Sequence, residues 1–339
     1  MIRIFLNHTP DMRANYYGSR ALARLQSLAD VRLNEQTAPL TTEQLIDAAQ
    51  ACQIIIAARV PALPRAVFEQ LPDLAAVCRV AVDVRNIDVE AADRHGVLVT
   101  RASPGFGPSV SEWIVGAMID ASRGISSAVA DYRQGRAPQV GMGRQLAGAT
   151  LGVVGFGTIG RYLGKLGCAL GMEVVVHDPY QQDVAPCTRA ASLQALLEQS
   201  DYVVCLAPAL PETANMFDAA AFAAMKPSAC FINAARGELV DESALLHALN
   251  RGEIASCALD VGLAPDQMPS PALAAHPNVI ASPHIGGLTP QAVEHQALDT
   301  VEQVASMLQG RMPQGGINPD QAFRFRERFL SGRTAPEPS

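Results

Sequence analysis

The chain has 339 residues, of which 49% are hydrophobic and 17% charged, and its formal net charge is −7. This length predicts about two domains, and the apolar content excludes intrinsic disorder for most of the chain. An acidic balance without a basic cluster argues against nucleic acid and anionic membrane surfaces as partners, and it favours small molecules.

Short β-branched runs alternate with helical patterns along most of the chain, which is typical of parallel sheets covered by helices. The first hundred residues predict one small α/β unit. Its strands are expected at 2–7, 31–35, 53–58, 75–80 and 97–100, and its helices at 16–29, 42–51, 64–71 and 89–95.

A run of turn-forming residues at 103–108 marks a boundary before a long predicted helix over 109–122. From residue 151 the alternation of strand and helix patterns begins again and predicts a doubly wound sheet. Its strands are expected at 151–154, 173–177, 202–206, 230–233, 255–261 and 279–281, with helices at 159–170 and 242–250.

Near the C-terminus, apolar residues at helical spacing predict a helix over 291–308 that returns to the first unit. From about Arg324 the apolar periodicity fades, so a frayed tail is expected there.

The seven cysteines lie mostly in apolar runs and form no C-x-x-C pair, so neither disulfides nor a metal site is expected. They indicate a reducing compartment. No apolar run has the length of a signal-peptide core or a membrane span, and the expected location is therefore cytoplasmic.

A G-x-G-x-x-G motif at Gly155, Gly157 and Gly160 directly follows a predicted strand and opens a predicted helix, with Thr158 and Ile159 inside it. The glycines permit a tight turn, backbone approach to a pyrophosphate and close helix packing. The motif therefore predicts a dinucleotide site, against the alternative of a tight turn without a ligand.

Asp178 ends the next predicted strand, 18 residues after Gly160. A carboxylate there accepts hydrogen bonds from the ribose hydroxyls and repels a 2′-phosphate. The predicted cofactor is therefore NAD (NADH) in preference to NADP.

Three further polar residues lie at or after the ends of later predicted strands, where ligands of doubly wound sheets bind: Arg236, Asp260 and His284. An arginine there can hold a carboxylate, and a histidine can exchange a proton near neutral pH. A surface ion pair for Arg236 and a structural role for His284 are the alternatives.

Taken together, these segments resemble the D-isomer-specific 2-hydroxyacid dehydrogenase family over about residues 75 to 300. The motifs occur in the family's order: Asn86-Ile-Asp88, Ser111-Glu112, the glycine loop, Met225-Lys-Pro, Ile232-Asn-Ala-Ala-Arg-Gly, Ala258-Leu-Asp-Val and Ser282-Pro-His-Ile-Gly-Gly.

The resemblance implies an α/β fold of two doubly wound parallel-sheet domains. A Rossmann NAD-binding domain at 103–288 is inserted into a flavodoxin-like substrate domain formed by 1–102 and 289–325, and 326–339 is a tail. It further implies a homodimer that forms through the NAD domain, around the long helix after the first boundary.

For the chemistry, the resemblance implies that Arg236 grips the carboxylate and 2-oxygen of the substrate, while His284 exchanges the hydroxyl proton. A hydride then moves to or from the nicotinamide.

Four further positions receive a role from the resemblance. Asp260 would hold the nicotinamide side of the cofactor and Pro208 would lie against its adenosine. Val82 and Asp83 would present backbone N–H groups to the substrate.

The sequence departs from the family at two places. Pro265 stands where a glutamate usually pairs with the histidine, so Asp266 is the candidate carboxylate partner of His284, with neutral Gln267 or no partner as alternatives. In the substrate loop, Asp83 replaces a glycine and Arg85 an aspartate. Arg85 is a candidate substrate-binding residue, or the two form a solvated ion pair.

The sequence therefore predicts an NAD-dependent dehydrogenase of a small 2-hydroxy or 2-oxo acid. The alternatives are an NAD(H)-sensing regulatory protein that has lost catalysis, and a formate- or phosphite-type dehydrogenase whose histidine has a neutral partner.

Overall fold

The computed structural model describes residues 2–331 and divides the chain into two compact units, Met1–Gly105 with Pro290–Ser339, and Phe106–Thr289. Each unit contains one sheet, and every strand pairing in both sheets is parallel. The predicted fold class, two parallel-sheet α/β units, is confirmed.

The first unit contains a five-stranded sheet whose central strands are fully buried. Its strands are β1 (Arg3–Leu6), β2 (Asp30–Leu33), β3 (Ile54–Ala57), β4 (Ala76–Arg79) and β5 (Leu98–Arg101). They are arranged in the order β2-β1-β3-β4-β5, which is the flavodoxin-like order. In this register Ile4 pairs with Val31 on one side and Ile54 on the other.

Five helices cover this sheet in the N-terminal part of the unit: α1 (Pro10–Tyr16), α2 (Ser19–Leu28), α3 (Thr42–Ala48), α4 (Arg65–Gln70) and α5 (Val89–Arg94). The single helix predicted over 16–29 is wrong at its start. Gly18 takes φ +88° between α1 and α2, and this conformation interrupts the helical hydrogen bonding. Thr41 caps α3 in a capping box with Gln44.

The second unit contains a seven-stranded sheet: β6 (Thr150–Val154), β7 (Glu173–His177), β8 (Thr188–Arg189), β9 (Tyr202–Cys205), β10 (Cys230–Asn233), β11 (Ser256–Leu259) and β12 (Val279–Ala281). The order is β12-β11-β10-β9-β6-β7-β8. From β6 the chain adds β7 and β8 on one side of the sheet and then β9 to β12 on the other, so the strand order reverses between β6 and β9. Ligands of such sheets bind beyond the carboxyl ends of the strands at this point.

Seven helices belong to this unit: α6 (Gly107–Arg123), α7 (Ile125–Arg133), α8 (Thr158–Ala169), α9 (Leu193–Gln199), α10 (Ala219–Ala223), α11 (Glu242–Arg251) and α12 (Pro271–Ala274). One face of the sheet packs on α6 and α8 through residues such as Ile114 and Leu163. The other face contains three mutually packed aromatic rings, Phe217, Phe222 and Phe231. These two apolar layers hold the loops at the carboxyl edge of the sheet.

After the second unit the chain returns to the first. Helix α13 (Pro290–Leu308) buries Val301 and Val304 in the same core as Leu25 of α2. A short helix, α14 (Phe323–Phe325), then leads into a π-helical turn over Arg326–Leu330.

The expected frayed tail from Arg324 is therefore wrong over its first residues, because Phe325 is fully buried in this core. Residues 332–339 of the predicted tail lie outside the described residues.

All seven cysteines are free thiols. Burial raises the pKa of Cys205 to about 12 and that of Cys230 to about 11, because the interior disfavours the thiolate. Over residues 2–331, no helix is both long and apolar enough to cross a membrane, and no group of three or more acidic, cysteine or histidine side chains is placed to hold a metal ion.

Candidate active site

The glycine loop connects β6 to α8 in a shape that other residues would not allow. Gly155 takes φ +95°, and a Cβ there would lie 2.6 Å from the backbone carbon of Leu206. A Cβ on Gly160 would lie 2.4 Å from the carbonyl oxygen of Gly155. Both glycines are therefore required for the packing of the loop itself.

Gly157 differs from its two neighbours in the motif. A Cβ on this residue would have no atom of a described residue within 4 Å apart from its neighbours along the chain, and its φ is −76°. Gly157 stands at the N-cap of the 12-residue helix α8, whose first N–H groups and dipole favour an anion. The open space at this helix start fits the pyrophosphate of a dinucleotide.

Asp178 follows β7 and joins the end of this strand to the glycine loop. Its Oδ2 accepts a hydrogen bond from the backbone N–H of Phe156 (2.7 Å), and its Oδ1 accepts from Tyr180 (2.9 Å) and Gln181 (3.2 Å). Asp178 is half-buried, and its contact with the ribose stays a prediction. Arg189 donates to the backbone carbonyl of Asp178 (3.1 Å), which places a guanidinium next to this position.

Pro208 lies in the segment that follows β9, next to the glycine loop. The close approach of Gly155 to Leu206 and Ala207 brings these two segments together. Pro208 is exposed, and its carbonyl accepts a hydrogen bond from the hydroxyl of Thr213 (2.7 Å).

Asn233, the last residue of β10, shapes the turn that carries Arg236. Its side chain is 1% exposed; Oδ1 accepts from the N–H of Ala235 (3.0 Å), and Nδ2 donates to the carbonyl of Arg236 (2.9 Å). The sequence motifs give no role to Asn233. A polar residue at the end of an otherwise apolar buried strand was the available signal.

The turns after β10 and β11 approach each other closely. A Cβ on Gly237 would lie 2.3 Å from the backbone carbon of Gly262, so a side chain at this position would force the turns apart. Glycine next to Arg236 therefore allows its turn to lie against the segment that follows Asp260.

Asp260 is 3% exposed and its carboxylate binds the loop that carries His284. Oδ1 accepts from the hydroxyl of Ser282 (2.6 Å) and from the N–H of Ile285 (2.8 Å), while Oδ2 accepts from the N–H of Gly286 (2.8 Å). Three donors compensate for the burial of this charge.

His284 takes the left-handed conformation, with φ +56°, and its Nδ1 lies 3.2 Å from the backbone carbonyl oxygen of Asp266. A carbonyl only accepts hydrogen bonds, so Nδ1 carries the hydrogen and Nε2 is the nitrogen left for proton exchange. The contact that the structure gives between these two residues is through the backbone of Asp266, and the pairing of its carboxylate with His284 stays a prediction.

These residues share one edge of the second sheet. Strands β10, β11 and β12 are adjacent and parallel, so Arg236, Asp260 and His284 follow their carboxyl ends at the same edge. The glycine loop follows β6 at that edge as well. The second unit thus gathers an anion cradle, a guanidinium and an imidazole.

In the first unit, the loop after β4 carries Val82, Asp83 and Arg85. Arg85 binds Asp83 through two nitrogens, with Nη2–Oδ2 at 2.8 Å and Nε–Oδ1 at 3.1 Å, and both side chains are substantially exposed. Asp83 and Arg85 therefore form the solvated ion pair that the sequence offered as one of two alternatives. The predicted backbone contacts of Val82 and Asp83 with substrate stay predictions.

A buried arginine supports the same loop. Arg79 is 6% exposed; it donates to Asn86 Oδ1 (3.2 Å) and to the carbonyl of Ala57 (3.2 Å), and burial lowers the pKa of Arg79 to about 10. The loop is thus attached to the ends of β3 and β4.

The family model described as the NAD-binding domain of D-isomer-specific 2-hydroxyacid dehydrogenases matches residues 115–286, which lie within the second unit. D-3-phosphoglycerate dehydrogenase of Methanocaldococcus jannaschii is 32% identical over 299 residues, covering 87% of this chain and 57% of that protein. The chloroplastic D-3-phosphoglycerate dehydrogenase 2 of Arabidopsis thaliana is 34% identical over 265 residues, covering 75% of this chain and 42% of that protein.

Among solved structures, D-lactate dehydrogenase with NAD+ from Lactobacillus jensenii has a TM-score of 0.80 and 25% identity, with 93% of this chain and 99% of that chain covered. The chain spans about half the length of the curated relatives that it matches, whereas it spans nearly all of this solved chain.

Proposed function

Because this chain belongs to the D-isomer-specific 2-hydroxyacid dehydrogenase family, we propose that it is an NAD-dependent oxidoreductase acting on a D-2-hydroxy acid or its 2-oxo counterpart. The bound nicotinamide would accept or supply the hydride. The observation that carries the proposal is the placement of Arg236 and His284 at the sheet edge that also holds the glycine loop.

The chain offers the groups that would hold NAD. Backbone N–H groups of Gly157, Thr158 and Ile159 at the start of α8 would bind the pyrophosphate, and the open space at Gly157 supports this. Asp178 would accept from the ribose hydroxyls, Pro208 would lie against the adenosine, and Asp260 would border the nicotinamide. The negative charge of Asp178 is the reason for preferring NAD to NADP.

Arg236 and His284 would divide the chemistry between them. The planar guanidinium of Arg236 would hold the substrate carboxylate and polarise the 2-oxygen. Nε2 of His284 would give a proton to that oxygen during reduction and take it back during oxidation. The hydrogen bond from Nδ1 to the Asp266 carbonyl would hold the imidazole in this orientation.

The first unit would be the substrate domain, with the loop after β4 contributing the backbone N–H groups of Val82 and Asp83. Asp83 is paired with Arg85, and this pairing reduces its repulsion of an anionic substrate. A substrate group that competes for Arg85 would change the loop, so Arg85 is proposed as a determinant of which acid binds.

The test is NADH consumption with a panel of acids: glyoxylate, hydroxypyruvate, pyruvate and larger 2-oxo acids. The variant His284→Ala should lower kcat by about a hundredfold or more while the affinity for NADH, followed by fluorescence, stays nearly unchanged. An active His284→Ala enzyme would overturn the assignment of the acid/base.

A second candidate is a formate- or phosphite-type dehydrogenase, and the neutral carbonyl that faces His284 Nδ1 is the observation that favours it. NAD+ reduction with formate or phosphite in the same assay would decide for it. Tight NADH binding without turnover of any acid would instead support the NAD(H)-sensing alternative.

The expected homodimer belongs to this proposal too. Helix α7 has no buried residue, and its Ile125 and Tyr132 are exposed. In the extended segment that follows, Val140 and Met142 are fully exposed. We assign this apolar surface of the NAD-binding unit to contact with a second copy of the chain.

A further inference from the structure

The loop over residues 282–286 has an unusual backbone, and this backbone determines where the His284 ring lies. His284 takes φ +56°, a conformation that costs a non-glycine residue free energy and persists only when its surroundings impose it. Pro283 precedes it and restricts the backbone of Ser282 to extended conformations. The local sequence does not by itself favour the turn at His284.

One buried carboxylate bonds to both sides of this turn. Before His284, the hydroxyl of Ser282 donates to Asp260 Oδ1 at 2.6 Å. After His284, the N–H groups of Ile285 and Gly286 donate to Oδ1 and Oδ2, each at 2.8 Å. The Asp260 carboxylate therefore links the residues before and after His284 through three hydrogen bonds, and this set of bonds is called the bracket.

The hydrogen bonds on the two sides of the bracket differ in whether a substitution can remove them. Backbone N–H groups are present whatever the residues at 285 and 286 are, whereas the bond on the N-terminal side depends on a hydroxyl at position 282. A Cβ at Gly286 would also lie 2.8 Å from Asp260 Oδ2, so only glycine allows the backbone to come this close. The Ser282 side chain thus supplies the only bond of the bracket that a substitution of the donor side chain can remove.

We propose that Ser282 is a positioning residue, whose bond to Asp260 holds the left-handed His284 in its proton-exchanging orientation. The inference rests on the proposed function for its effect on turnover, but the bracket itself is a property of the folded chain. Loss of the hydroxyl leaves the N-terminal side of the turn held only by backbone hydrogen bonds, from Ser282 N–H to the Leu259 carbonyl (2.9 Å) and from His284 N–H to the Ser282 carbonyl (3.0 Å). The link to the Asp260 carboxylate is then lost on this side, and His284 leaves its conformation more often. The ring then spends less time in the orientation in which Nδ1 donates to the Asp266 carbonyl.

The experiment compares Ser282→Ala with Ser282→Thr, which keeps the hydroxyl, and with Ser200→Ala. Ser200 is fully buried in the same unit and donates to the carbonyl of Leu196 (2.6 Å), so its variant controls for the loss of a serine hydrogen bond. Ser282→Ala should lower kcat about tenfold, with KM for NADH unchanged, because a bond to a charged group is lost. Ser282→Thr should restore most of kcat, and Ser200→Ala should leave it unchanged.

A second measurement does not depend on turnover. Amide hydrogen exchange at Ile285 and Gly286 should be about tenfold faster in Ser282→Ala than in the parent protein or in Ser200→Ala. Unchanged exchange would overturn the bracket even if the chain is an active dehydrogenase. Faster exchange in a chain without turnover would support the bracket and reject the proposed function, while faster exchange with an unchanged kcat would reject the positioning role.

Discussion

Three residues near the candidate acid/base have the left-handed conformation although none is glycine: Asp266 (φ +60°), Gln267 (φ +59°) and His284 (φ +56°). Such residues are uncommon and are held by their surroundings, frequently at functional sites. Here the turn at 265–267 presents a backbone carbonyl to the His284 ring. The sequence carries no signal for the direction of a carbonyl, so this backbone contact could not be predicted from it.

The contact through the backbone predicts the effect of a conservative change at Asp266. Asparagine tolerates the left-handed conformation and keeps the carbonyl, so Asp266→Asn should retain kcat within about threefold of the parent enzyme. Steady-state kinetics with the best substrate of the panel would measure it.

A large loss of activity in Asp266→Asn would contradict this expectation. A fall in kcat of roughly a hundredfold, the scale expected for a group directly involved in proton transfer, would mean that its carboxylate takes part in catalysis. The parallel variant Asp241→Asn, at a helix N-cap outside the proposed site, controls for the loss of one negative charge in the same unit.

At the scale of elements, a polar residue at or just after the end of a buried strand holds each loop of the proposed site. Asp178 after β7 binds the glycine loop, Asn233 at the end of β10 binds the turn of Arg236, and Asp260 after β11 binds the loop of His284. Each side chain supplies hydrogen bonds to backbone groups that have left the sheet and have no strand partner there. Strand ends thereby determine the loop conformations.

The glycine loop allows its structural and binding functions to be separated. Gly160→Ala should lower the free energy of unfolding by about 2 kcal/mol, because its methyl group meets the carbonyl of Gly155. Gly157→Ala should lower that free energy by only about 1 kcal/mol, since the space is open and the cost is that of alanine at a helix N-cap. Chemical denaturation would compare the two variants.

Gly157→Ala should affect the affinity for NADH more strongly than it affects the free energy of unfolding. Its methyl group would occupy the space proposed for the pyrophosphate, so the affinity for NADH should fall about tenfold or more in a stable protein. Unchanged NADH affinity in Gly157→Ala would place the dinucleotide elsewhere.

At the scale of the whole molecule, the chain forms its first unit from both of its ends and its second unit from the middle. Helix α13 completes the core of the first unit on α2 and β4. The chain therefore passes between the two units twice, near residues 105 and 290.

The exposed apolar surface of α7 and the following segment leads to a prediction about assembly. Val140→Asp combined with Met142→Asp should convert a dimer into a monomer, because buried charges without partners oppose association. Light scattering coupled to size-exclusion chromatography would measure the mass.

The matched control for that surface lies in the other unit. Leu28→Asp, on the exposed side of α2, adds a charge at an apolar surface position without touching the proposed interface and should leave the mass unchanged. A parent protein that is monomeric at micromolar concentration would contradict the assignment of the surface.

Sequence alone determined the fold class, the glycine motif with Asp178, and Arg236 and His284 as the candidate chemical residues. These features are encoded by periodicity and short spacing, which depend on neighbours along the chain. Only the tertiary structure decided that Phe325 is buried, that Asp266 faces His284 through its backbone, and that Asp260 closes a bracket with Ser282. Each of these contacts joins segments distant in sequence, and strand pairing and core packing bring them together.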